Sequence, residues 1–315
     1  SHQLALPPAL AGSFAAGNGG VIDLSALFAV LIVTILLWRG TNTTARVENV
    51  LVIGKVLVIL IFIGVGLTAI HPANYVPFIP AHKPGTDFGG WQGIFAGAAQ
   101  IFLAYIGFDS IAANSAEAKD PKKTMPRGII GSLVIATILF VTVALVLVGM
   151  FHYSKYANNA APAAWALLNS GHEFTSNLLS VVALVGMFTA IIGMMLAGSR
   201  LLYAFGRDGL LPKFLGKVND KGLPNNALLV LSVIAILIGS VFSFTELAGL
   251  ISAGTLIAFI IVSLGVYALR PREGKDIPVP GFKMPLYPVL PALAALGSGF
   301  IFYQLDNQAK LYAFG

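Results

Sequence analysis

Eight apolar stretches, at about 23–38, 48–69, 91–114, 129–151, 177–199, 226–244, 248–269 and 286–304, dominate this 315-residue chain. A bilayer-spanning helix needs roughly 18 to 25 such residues, and the connecting segments are short, polar and punctuated by Pro and Gly. With 57% hydrophobic and 10% charged residues, the chain carries more apolar surface than a soluble core can hide. The reading is an all-α, polytopic helical membrane protein with about eight transmembrane helices. It forms a single transmembrane domain over 1–315, with no soluble domain and the lipid bilayer as its surroundings.

The net charge of +6 is explained by side rather than by a nucleic-acid partner. If the amino terminus faces outside, fifteen of the 19 Lys and Arg residues, from Arg39 and Arg46 through Lys119–Arg127 and Arg200–Lys221 to Arg270–Lys283, fall on one face. Lys83, Lys155 and Lys310 fall on the other, and Lys55 lies within a span. Loop cations concentrate on the cytoplasmic side of membrane proteins, so the fifteen-residue face is expected to be cytoplasmic. A cysteine placed at Asn158 is then expected to be reached from outside, and one at Lys217 only after permeabilisation.

The chain has no cysteine, so neither a disulfide framework nor a thiolate metal site can form. It lacks a His-Glu-x-x-His metal pattern, a Gly-x-Ser-x-Gly elbow and a phosphate loop. The expectation is a non-enzyme without cofactor or resident metal. The Ser-His-Gln start, in a Pro- and Gly-rich loop, reads as a fragment of a longer chain.

Two spans carry groups that hydrocarbon does not tolerate idly. The helix expected from Trp91 contains Gly107 and Asp109 well inside it, and a loosened backbone or a charge at that depth persists only where protein or water lines it. Asp109 either belongs to a functional site or steadies helix packing. Lys55 lies nine residues beyond Arg46, deep in its span at 1.5 Å rise per residue. A central lysine costs about 2.5–3.5 kcal/mol on insertion scales. The alternative, a lysine snorkelling to the surface, requires its stem to cover about two helical turns.

Tyr105-Ile106-Gly107-Phe108-Asp109, then Ala116-Glu117 to Pro121 and Pro126, then Ser199-Arg200 to Arg207-Asp208-Gly209-Leu210-Leu211-Pro212, then Gly254-Thr255-Leu256-Ile257-Ala258-Phe259 follow one another along the chain. Together with Asn49 and Lys55, they resemble the amino acid–polyamine–organocation permeases, in particular the cationic-amino-acid-transporter branch and its bacterial homologues. The resemblance implies part of a five-plus-five inverted-repeat transporter fold, lacking the first three helices and the end of the family sequence. It departs from the family at Ala118, where a second acidic residue often follows Glu117.

The function implied is secondary active transport of an L-amino acid by alternating access, coupled to protons, in the plasma (inner) membrane of a bacterium. A sodium-coupled permease, or a transport-inactive scaffold or sensor on the same fold, are the alternatives. Oligomeric state is not legible. The backbone of Tyr105, Ile106, Gly107 and Phe108 is expected to meet the substrate's ammonium and carboxylate, with Asp109 just inside. Lys55 occupies the place where sodium-coupled relatives hold a cation, which implies a resident ammonium that gains or loses a proton. Thr189 matches a hydroxyl position near that cation, available to donate or accept a hydrogen bond; the alternative is a threonine that bonds to its own helix backbone.

Overall fold

The computed structural model describes residues 24–314 apart from 87, 114, 116, 117, 158 and 160, with the backbone alone at 41–48, 113, 245, 308 and 312–314. Ala116, Glu117 and Asn158 lie outside the described residues. Every named element is helical: α1 Leu24–Arg39, α2 Thr41–Thr68, α3 Gly90–Ile101, α4 Ser110–Ala113, α5 Pro121–Met150, α6 Pro162–Asn169, α7 Glu173–Arg207, α8 Asn225–Val241, α9 Phe244–Leu269, α10 Val289–Gln304 and α11 Asn307–Phe314.

Among the described residues, five stretches are long and apolar enough to cross a membrane: Asn49–Thr68, Gly90–Ala112, Pro121–Met150, Glu173–Arg207 and Glu246–Arg272. The apolar helices α1, α8 and α10 are shorter, at 16, 17 and 16 residues. At 1.5 Å per residue each reaches only about 24–26 Å. The 35-residue α7 reaches about 52 Å, well beyond a hydrocarbon core of about 30 Å. Polar residues at its ends, Glu173 and Arg207, are compatible with helix but not with an apolar count, which is why composition alone places the span at 177–199.

Helix ends follow local chemistry. Gly40, at φ 133°, separates α1 from α2 where a side chain is strained. α9 opens on a capping box: the Ser243 hydroxyl accepts the Glu246 amide, and the Glu246 carboxylate accepts the Ser243 amide at 2.8 Å. The helix therefore starts at Phe244, four residues before the apolar run expected from 248. Pro162 stands in the first turn of α6, where its missing N–H leaves no bond unmade.

Helix contacts group into two compact units. In the unit of Ser25–Ile79 and Ser132–Leu237, α1 packs on α7 and α8 through Val33, Leu37, Ile192, Met195 and Leu228. The buried hydroxyls of Thr34 and Ser232 meet at 2.8 Å in that interface. A second cluster joins Phe62 of α2 with Val146 and Met150 of α5 and Ala166 and Leu167 of α6. Gly66 makes the close approach there, because a Cβ on it would stand 2.3 Å from Val146 Cγ1.

In the unit containing Pro80–Gly131 and Ile238–Gly315, Ala99 of α3 is buried with Ala253 and Leu256 of α9 and with Leu305 and Ala309. Three of these five are alanines, so helix axes come close without needing interdigitated side chains. Phe95 and Phe300 add an edge-to-face pair at 5.0 Å.

Candidate functional site

The helix that starts at Gly90 does not run through Asp109. α3 ends at Ile101 and tightens into a 3-10 turn over Phe102–Tyr105. Ile106 is extended at φ −64°, ψ 131°, and Gly107 has φ 127°. Only glycine adopts that φ without strain, so Gly107 is the residue at which the helical ladder can stop and restart. α4 resumes at Ser110.

The interruption is held by short local bonds. Ile106 N–H donates to the Leu103 carbonyl at 3.2 Å. The Gly107 carbonyl accepts both the Ser110 hydroxyl at 2.6 Å and the Ser110 amide at 3.1 Å. The Gly107 amide donates to Asp109 Oδ1 at 3.2 Å. Asp109 is exposed, whereas Tyr105, Ile106, Gly107 and Phe108 are half-buried. Its carboxylate thus satisfies an amide freed by the break, a contact the sequence reading did not assign to it.

Three phenylalanines anchor the break to α9. The Phe259 ring lies 6.2 Å from Phe102, edge to face, and 5.6 Å from Phe108. Phe259 was legible as part of the Gly254–Phe259 stretch, but its pairing with residues about 150 positions earlier leaves no trace in local sequence.

Lys55 and Thr189, 134 residues apart, come together in the other unit. Lys55 Nζ donates to Thr189 Oγ1 at 2.5 Å, and that hydroxyl donates in turn to the Gly186 carbonyl at 2.8 Å. Both alternatives for Thr189 are therefore realised at once: it bonds its own helix and receives the ammonium. Thr189 is 2% exposed and Lys55 half-buried. Gly186 leaves room for the lysine stem, since a Cβ there would lie 3.2 Å from Lys55 Cδ. An ammonium donating to a buried hydroxyl is held at a defined point.

A polytopic helical chain with an interrupted helix and a lysine held within it matches a known sequence family. The profile of the amino acid permease family covers residues 10–307. The chain belongs to that family. Among similar permeases and transporters, the branched-chain amino acid permease BcaP of Lactococcus lactis subsp. cremoris is 59% identical over 98% of this chain and 66% of its own length. The methylthioribose transporter of Bacillus subtilis is 36% identical over 93% of this chain and 61% of its own. The chloroplastic cationic amino acid transporter 9 of Arabidopsis thaliana is 32% identical over 87% of this chain and 48% of its own. The chain thus spans less than two thirds of the length of these relatives. It is an integral membrane protein, and its family is one of permeases, not enzymes.

Proposed function

We propose that this permease chain is part of a secondary active transporter for an L-amino acid, coupled to protons and working by alternating access. The interrupted helix around Gly107 carries the proposal, because broken helices in the membrane supply backbone donors and acceptors suited to a zwitterion. Tyr105, Ile106, Gly107 and Phe108 bind the substrate's charged groups, and Asp109 holds the break in shape. The rings of Phe102, Phe108 and Phe259 make its neighbourhood apolar. That favours a neutral, branched side chain over a cationic one and agrees with the name of the 59% identical relative.

Lys55 stands in for a sodium ion: its ammonium sits on Thr189, exchanges a proton during the cycle and couples transport to the proton gradient. The single domain runs across the whole chain, and the amino-terminal side faces outward in a bacterial plasma membrane.

Uptake of labelled leucine by the full-length protein in proteoliposomes, with sodium and pH varied independently, tests both parts. The expected result is uptake driven by an inward proton gradient and indifferent to sodium. A strict sodium requirement defeats the role given to Lys55. Absence of leucine uptake, or its inhibition by excess arginine or lysine but not by isoleucine or valine, defeats the substrate class.

A further inference from the structure

A cavity of about 480 Å³ lies within the unit of Ser25–Ile79 and Ser132–Leu237, away from Lys55 and Thr189. Three cationic or cation-forming side chains converge on it from separate segments: His71 after α2, Lys155 after α5 and His172 ahead of α7. Among the described residues, no carboxylate lines it. Glu173, the one acidic residue in the first turn of α7, is exposed and outside the lining.

The walls are tied down rather than loosely apposed. The Asn74 side-chain amide donates to the carbonyls of Gly149 and Met150 at 2.8 and 3.0 Å, and the His71 backbone amide donates to Gly149 at 2.9 Å. The negative end of α5 is thereby capped and adds little negative potential to the cavity. Lys155 Nζ lies 5.6 Å from the centre of the Phe151 ring, which holds the ammonium at the wall. The Ser170 hydroxyl donates to the Leu167 carbonyl at 2.9 Å and so accepts from His172 Nδ1, 3.2 Å away. His71 has a ring N–H to donate in either charge state, whereas His172 offers Nε2–H to a ligand only as an imidazolium.

The depression is half open and mostly polar-lined, and the positive end of α7 has the same sign as the basic side chains around it. The volume lies within the about 300–1,000 Å³ usual for small-molecule sites. We infer that this cavity is a binding site for an oxyanion, a carboxylate or phosphate group carried by a soluble ion or by a lipid headgroup. The site does not depend on the transport reading above.

The full-length protein in phosphatidylcholine nanodiscs, at ionic strength held constant with chloride, separates the two sources. One arm titrates inorganic phosphate and the other adds phosphatidylglycerol, with thermal unfolding as the readout. A rise in melting temperature with phosphate assigns a soluble oxyanion, and a rise with phosphatidylglycerol assigns a headgroup. In either arm, Lys155→Gln with His172→Gln is expected to weaken the response by about tenfold, the scale of losing charge-assisted bonds. If the double variant does not fold, Lys155→Gln alone, an exposed position, carries the same comparison. No response in either arm, or a response that the substitutions leave unchanged, overturns the site.

Discussion

The roles proposed for Lys55, Thr189 and Gly107 each predict a distinct loss on substitution. Thr189→Val keeps the shape of the buried side chain but removes the hydroxyl that receives the Lys55 ammonium, so proton-driven uptake by the full-length protein should fall, and Thr189→Ser should restore it. Lys55→Ala should abolish coupling while the protein still folds, because an ammonium within a span costs stability rather than supplying it. Lys55→Arg does not substitute, since guanidinium stays protonated and needs more room. Normal proton-driven uptake by Lys55→Ala rules the coupling role out. At Gly107, φ 127° makes Gly107→Val strained by about 1–3 kcal/mol. Substrate affinity measured by calorimetry should weaken with little change in the fold elsewhere; undiminished affinity argues that the break does not bind substrate.

At the level of helices, what matters is where two backbones approach and how an end is capped. The α2–α5 contact rests on Gly66, whose added Cβ would overlap Val146 Cγ1 at 2.3 Å, whereas Gly54 on the same helix meets nothing within 4 Å. Gly66→Ala should therefore destabilise by about 1–3 kcal/mol, the usual cost of overpacking. Gly54→Ala should be neutral or slightly stabilising. Equal melting temperatures for the two variants in detergent would contradict the assigned crossing. Ser243→Ala removes the cap of α9 at a cost of about 1 kcal/mol, read by faster amide exchange over residues 244–247. The cap's Ser-x-x-Glu spacing is visible in sequence, but an apolar-run reading starts only where hydropathy rises. Gly97 on α3, by contrast with Gly66, has nothing within 4 Å of an added Cβ among the described residues.

For the whole molecule, orientation is the property most open to test. Because the chain has no cysteine, single reporters can be placed without background from it. A cysteine at Asn169 should react with an impermeant reagent in intact cells and one at Lys217 only after permeabilisation; the reverse pattern inverts the topology. The sequence by itself determined the helical membrane class and the interruption near Gly107, because hydropathy and glycine's backbone freedom are local properties that every spanning helix must obey. It also singled out Lys55, since the cost of an ammonium in hydrocarbon does not depend on which helix lies beside it. Only the tertiary structure decided that Thr189 bridges Lys55 to the Gly186 carbonyl, that Asp109 caps the amide of Gly107, that Phe259 meets Phe102 and Phe108, and that His71, Lys155 and His172 share one cavity. Except for the Asp109 contact, these link residues far apart in the chain. The Asp109 side chain was within local reach, but its choice of partner depended on how the helix actually broke. Such pairings arise when helices dock and side chains compete for the same donors, acceptors and space, and no residue announces the outcome of that competition in its own neighbourhood of sequence.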